Sequence, residues 1–153
     1  MISVGLISDT HGLLRQEALD ALQGSDYIIH AGDISEQSII DSLATIAPVT
    51  AVRGNVDKGQ LAIRYAPYEV LKIGAIYIYV LHIIDEIDLD PVASGFQVVV
   101  YGHSHRPSVR QENDVLFINP GSAGPRRFSL PVTVGRLTIN GAQLDASIIN
   151  IIQ

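Results

Sequence analysis

The first third of the chain alternates apolar runs of strand length with stretches of helical periodicity, a rhythm that restricts it to a parallel α/β core. Ile2 to Ser8 is the first apolar run, after which Leu14, Ala18, Leu19 and Leu22 recur at helical spacing until Gly24. Asp26 to Asp33 returns as a second strand. Ser35 is the expected N-cap of a second helix with Ile39, Ile40 and Leu43 on its inner face, and Pro48 leads into a third strand, Val49 to Arg53. Such a β-α-β-α-β unit predicts parallel strands whose carboxyl ends share one edge, where ligands usually bind. Asp9, Asp33 and Asn55 each fall just past one of those ends.

Beyond Asn55 the pattern changes. Tyr68 to Ile73 and Ala75 to Leu81 read as a hairpin turning at Gly74, with Tyr77 and Tyr79 alternating against Ile76, Ile78 and Val80. Ile84 to Pro91 is acidic and reads as a solvated loop or short helix. A strand at Gln97 to Tyr101 runs into Gly102-His103-Ser104-His105, and Val115 to Ile118 precedes the turn-rich stretch Asn119 to Pro125. Two final strands, Val132 to Ile139 and Gln143 to Ile149, flank an Asn140-Gly141 hairpin turn. Without repeats or linkers, residues 1–153 are expected to form one α/β domain of two packed mixed sheets with helices outside.

Composition narrows the chemistry. The 153 residues include no cysteine, so thiolate metal sites and thiol catalysis are excluded and any metal must be held by nitrogen and oxygen. A net charge of -6, with Lys58 and Lys72 as the only lysines, argues against strong nucleic-acid binding through a basic face. A small anionic ligand is compatible with that charge if metal ions supply the positive field. The N-terminus has no signal-peptide pattern and no uncharged run reaches the ~18 to 20 residues of a membrane span, so a cytoplasmic protein without membrane attachment is expected.

Asp9, His11, Asp33, Asn55, His82, His103 and His105 share a placement that composition does not explain: each follows a predicted strand, and most adjoin a glycine. On a strand, positions two apart face the same side, so Asp9 with His11, and His103 with His105, are expected to project together. Four of the five histidines fall in this set. Seven nitrogen and oxygen ligands exceed what one tetrahedral ion takes and suit two divalent ions sharing a carboxylate and a bridging water. Ions ~3.5 to 4 Å apart would activate that water and clamp a phosphoryl group for in-line attack.

The motifs Asp9-Thr10-His11, Gly32-Asp33, Gly54-Asn55, His82 and Gly102-His103-Ser104-His105, with Asn119-Pro120-Gly121-Ser122, resemble those of the calcineurin-like metallophosphoesterases, and within them the small single-domain phosphodiesterases of bacteria and archaea. The resemblance spans nearly the whole chain. It implies a four-layer αββα sandwich, and one metal held by Asp9, His11, Asp33 and His105 with a second held by Asp33, Asn55, His82 and His103. It further implies that Asn55 touches the substrate phosphate as a catalytic group. Manganese is the first expectation for the ion, with iron, nickel and zinc as alternatives. The expected activity is hydrolysis of a small-molecule phosphate diester, the alternatives being a phosphomonoesterase or a non-catalytic scaffold of the same fold. Monomer and homo-oligomer both stay open.

Two positions depart from the family pattern. Val56 stands where larger members carry a histidine acid, so modest activity on esters with good leaving groups, or a proton delivered by metal-bound water, is expected. Ile83 follows His82 where glycine is usual, which predicts either a different local backbone or an imperfect second metal site. Arg126 and Arg127 follow the Pro-Gly loop and are read either as reaching a substrate phosphate, with Arg126 taken as the substrate-binding residue, or as solvated surface arginines. His30 is read as a buried, hydrogen-bonded support, and Asp85, Glu86, Asp88 and Asp90 as a solvated face.

Overall fold

The computed structural model describes residues 1–152. Its first sheet is built from β1 (Ile2–Ile7), β2 (Tyr27–His30), β3 (Val49–Ala51), β9 (Thr133–Asn140) and β10 (Gln143–Asn150), in the spatial order β10-β9-β1-β2-β3. The second holds β4 (Tyr68–Ile73), β5 (Ile76–Leu81), β6 (Val98–Val100), β7 (Ser108–Glu112) and β8 (Val115–Asn119), in the order β4-β5-β6-β8-β7. Both are mixed. β1, β2 and β3 run parallel, as do β5, β6 and β8, and antiparallel strands complete each sheet. The parallel strands therefore bring their carboxyl ends to an edge in each sheet.

Side-chain alternation decides what lies between the sheets. Val4, Leu6 and Ile29 from one sheet meet Ile78, Val80, Val98, Val100 and Ile118 from the other in the central core. On the outer face of the first sheet, Ile7, Ile28 and Val134 pack against α1 (Gln16–Leu22) and α2 (Gln37–Leu43) through Ala18, Leu22, Ile39, Ile40 and Leu43. Arg136 on β9 donates to the Ala21 and Gln23 carbonyls near the end of α1, satisfying groups that the helix leaves open. On the outer face of the second sheet, Tyr79, Leu81, Phe96, Val99 and Tyr101 are covered by Ile84, Ile87 and Leu89. That fourth layer is a single 3₁₀ turn, Ile84–Glu86, and the loop after it. Asp85, Glu86, Asp88 and Asp90 face solvent on the same segment, as their charge predicts.

Three local features differ from the sequence expectation. Ser35 is not the cap of α2, which begins after Glu36; Ser35 takes a left-handed conformation and its N–H goes to Asp57 instead. The short helix α3 (Gln60–Arg64) has no buried residue, so its sequence carries no apolar stripe to announce it. The edge strand β7 reads Ser-Val-Arg-Gln-Glu, mostly exposed, and is held by antiparallel pairing with β8 instead of by an apolar face. No helix among the described residues is long and apolar enough to cross a membrane.

Ile78 is fully buried between the sheets, whereas Val70 is 54% exposed. Ile78→Ala should lower unfolding free energy in urea by about 2 to 5 kcal/mol, and Val70→Ala by less than about 0.5 kcal/mol. Equal losses would mean that the inter-sheet layer is not the main core.

Candidate metal centre

The seven residues singled out by the sequence lie on loops at the shared edge. Asp9 and His11 follow β1, Asp33 follows β2, Asn55 follows β3, His82 follows β5, and His103 and His105 follow β6. β1 ends at Ile7, so strand alternation is not what aims Asp9 and His11 together. Left-handed backbone does so: φ is 56° at Asp9, 47° at His11, 59° at Asp33, 73° at His103 and 63° at His105. Each costs on the order of 1 kcal/mol, so the surrounding structure must hold it. Loop-to-loop hydrogen bonds supply that hold, from Asp9 N–H to Gly32 O (3.0 Å), His11 N–H to Asp33 O (2.9 Å) and Gly102 N–H to His82 O (2.9 Å).

The side chains sort into two groups, Asp9 with His11 and His105, and Asp33 with His82 and His103; within each, one ligating atom per residue lies within 4.8 Å of the others. The groups touch. Asp33 Oδ2 is 3.5 Å from His11 Nε2 and 3.1 Å from His82 Nε2, and Asp9 Oδ1 is 3.4 Å from His105 Nε2 and 3.8 Å from both His11 Nε2 and His82 Nε2. In each carboxylate the other oxygen is held by the protein. Ser8 Oγ–H (2.7 Å) and the His103 N–H (3.1 Å) donate to Asp9 Oδ2, and the Val56 N–H (3.0 Å) donates to Asp33 Oδ1.

Two of the imidazoles are committed in the same way. His82 Nδ1–H donates to the Ala31 carbonyl (2.7 Å) and His103 Nδ1–H to Asn55 Oδ1 (3.1 Å), so the neutral form of each ring presents an Nε2 lone pair. Asp9 Oδ1, His11 Nε2 and His82 Nε2 are buried and make no hydrogen bond among the described residues. Lone pairs of oxygen and nitrogen that converge this closely repel unless a cation lies among them. Nitrogen and oxygen donors spaced like this fit borderline divalent ions, whose ligands stand ~3 Å apart around a metal.

Charge within the cluster follows from the same contacts. Burial opposes ionisation of Asp33, but His82 and the Val56 N–H outweigh it and its pKa falls below the usual carboxylate value. Burial disfavours protonated His82, yet Asp33 and the charge of Asp9 raise its pKa above the ordinary imidazole value. At His11 burial dominates over the attraction of Asp33 and Asp9, and the pKa is lowered. Arg127 contributes to that lowering, so its charge reaches the site; Arg126 is exposed on the same turn.

Supporting residues lock this arrangement. Asp57, which the sequence did not single out, is 5% exposed and accepts the N–H groups of Ile34 (3.0 Å), Ser35 (2.8 Å) and Gly54 (2.9 Å), tying the Asp33 loop to the Asn55 loop. Its signal was an acidic residue two positions after a Gly-Asn turn, where a solvated surface charge is the ordinary reading. Asn119 Nδ2 donates to the Gly102 carbonyl and Ser104 Oγ, and Ser122 Oγ to the Asp9 carbonyl. A Cβ on Gly54 would sit 2.1 Å from Asp33 Oδ1, and one on Gly102 2.8 Å from Asp9 Oδ2, so both glycines are needed for loop approach. Ile83 has φ -113°, a conformation open to a β-branched residue, and His82 before it is buried.

His30 is not a ligand. The Gly32 N–H donates to its Nδ1 (3.1 Å), so Nε2 carries the proton and donates to Thr10 Oγ1 (3.0 Å). Burial drives its pKa down to about 4. It therefore stays neutral and steadies the loop between Asp9 and His11.

A sequence profile of the calcineurin-like phosphoesterase superfamily domain matches residues 2–142. A probable metallophosphoesterase of Methanothermobacter thermautotrophicus is 33% identical over 157 residues, covering 95% of this chain and 91% of that protein. Phosphodiesterase YfcE of Escherichia coli K12 is 26% identical over 162 residues, covering 90% and 88%. Among solved structures, wild-type Vps29 of Entamoeba histolytica in complex with zinc aligns with a TM-score of 0.75 at 23% identity, over 98% of this chain and 99% of that one.

Two outcomes follow from the supporting residues. Asp57→Ala should weaken manganese binding about 10- to 100-fold in a metal titration while the far-ultraviolet dichroism stays native, because the ligand loops lose their tie; unchanged affinity would remove Asp57 from the site. His30, neutral when folded with a pKa of about 4 against 6.5 unfolded, contributes stability that is complete above pH 6.5 and is lost as pH falls toward 4. Metal-free protein should lose about 3 kcal/mol over that window by urea denaturation. His30→Gln should flatten that part of the profile.

Proposed function

The chain belongs to the calcineurin-like phosphoesterase superfamily, and we propose that this hydrolase of phosphate esters is a phosphodiesterase working through two divalent cations. The observation that carries the reading is Asp33 Oδ2, set between His11 Nε2 of one ligand group and His82 Nε2 of the other. Asp9, His11, Asp33 and His105 would hold one ion and Asp33, Asn55, His82 and His103 the second. Manganese is the first choice, with iron, nickel or zinc as alternatives. When bound, such a pair supplies a hydroxide nucleophile at neutral pH and a positive clamp on the phosphoryl oxygens, as a protein of net charge -6 needs in order to take an anionic substrate.

The remaining work falls to the protein. Asn55 is exposed beside the cluster and its Oδ1 is engaged by His103, which leaves its amide N–H groups to donate to a phosphoryl oxygen. Arg126, on the exposed turn whose neighbour Arg127 acts on His11, is the substrate-binding arginine of this reading. Val56, next to Asn55, has no proton to give, so leaving groups that depart unprotonated are favoured. The Asp33 carboxylate, fixed through Oδ1 by the Val56 N–H, keeps Oδ2 oriented without help from substrate.

The test uses metal-stripped protein reloaded with manganese and assayed on bis(p-nitrophenyl) phosphate beside p-nitrophenyl phosphate. Faster turnover of the diester is expected, and Asp33→Asn should lower its kcat/KM at least ~100-fold, the scale of removing one charge-stabilising group. A faster monoester would turn the reading to a phosphomonoesterase. No activity on either ester, with less than about one ion bound per chain, would leave the fold as a scaffold.

A further inference from the structure

His82 and Asn55 border a cavity of about 370 Å³, which they line together with residues that have no part in metal binding. Leu81 and Tyr79 on β5 contribute to its lining, with Tyr68 of the edge strand laid over Tyr79, their ring centroids 5.8 Å apart and their planes 22° from parallel. Pro67 and Ile83 add apolar surface, and Glu86 and Asp88 stand at the rim. Tyr68 is 56% exposed, so one aromatic ring of the lining faces incoming ligand. Arg53 also lines the cavity, but its guanidinium donates to the Ala62 (2.7 Å) and Tyr65 (3.4 Å) carbonyls. Glu86 and Asp88 outnumber that one guanidinium, so the charged side chains of the lining sum to a net negative charge.

We propose that this cavity receives one organic arm of the phosphate ester and that the arm is an aromatic group without negative charge. The inference rests on the phosphoesterase reading of the adjoining site. A phosphoryl group centred over His82 and Asn55 directs one substituent into the cavity, because both residues belong to the lining. The volume lies within the ~300 to 1,000 Å³ of small-molecule pockets and accommodates a substituted ring. Tyrosine, proline and aliphatic surface reward a flat apolar group, whereas Glu86 and Asp88 repel a second anionic group at its far end. Burial and the neighbouring Tyr68 and Asp88 raise the pKa of Tyr79, in keeping with an Asp88 charge that is felt inside the cavity. Val56 points to the same substrates independently, since phenolates leave without a proton. Ile83, a departure from the family pattern, here becomes part of the recognition surface.

Phosphonates test this without turnover, because a single organic arm is carried by an anion that the metal centre must hold. Manganese-loaded protein is titrated calorimetrically with methylphosphonate, phenylphosphonate and 4-carboxyphenylphosphonate. Phenylphosphonate should bind about tenfold more tightly than methylphosphonate, and the added carboxylate should remove most of that gain. Tyr68→Ala should bring the phenyl-to-methyl ratio to within about twofold of one. Glu86→Gln combined with Asp88→Asn should restore binding of the carboxylated ligand. Equal affinity of wild-type protein for the phenyl and methyl compounds would overturn the cavity assignment and leave the metal centre standing. Failure of all three to bind would overturn both.

Discussion

Converging lone pairs govern this structure. Asp9 Oδ1 and Asp33 Oδ2 face the Nε2 atoms of His11, His82 and His105 across 3.1 to 3.8 Å, and His82 has already spent its other ring N–H on a backbone carbonyl. An apolar core of the kind that fills the rest of the molecule gives no reason to gather acceptors in one place. On the proposed function, a pair of divalent cations does. The parallel strands of both sheets end at one edge, and every candidate ligand hangs on the loops beyond them.

Holding the ligands there requires backbone that most residues avoid. Five candidate ligands take left-handed φ, and the loops that carry them are tied together by backbone hydrogen bonds, by Asp57 and by Asn119. Rigid support of this kind fixes ligand positions before any ion arrives, which reduces the ordering cost of binding. The glycines between the loops belong to the same device: at Gly54 and Gly102 a methyl group would occupy the space of a liganding carboxylate. His30 extends the support one layer inward as a neutral ring between the Gly32 amide and Thr10.

On the other side of His82 the requirement is different, and so is the surface. The outer face of β5 places aromatic and aliphatic side chains beside the metal centre, under a thin cover that consists of one 3₁₀ turn and a loop. The segment after His82 leaves the apolar face partly open next to the candidate ligands, and its Glu86 and Asp88 outnumber Arg53 in the lining. On the proposed function, reaction chemistry and substrate choice occupy adjoining regions that share His82 and Asn55 at their border.

Much of this was legible in the chain. The β-α-β-α-β rhythm, the hairpin at Gly74 and the placing of Asp9, Asp33, His82 and the His103-Ser104-His105 stretch after strands follow from local apolar pattern and turn chemistry, which act over a few residues and leave a periodic trace. β7 and α3 left no such trace, since pairing with β8 and chain connectivity hold them instead of an apolar face. Ser35 misled for a related reason: its local capping propensity yielded to a carboxylate 22 residues away. The sequence by itself determined which donor atoms are available and on which strand ends they ride. Only the tertiary structure decided how they meet, that Asp57 joins two loops, and that Tyr68 and Tyr79 open beside His82, because those relations depend on contacts between distant segments whose geometry no local periodicity encodes.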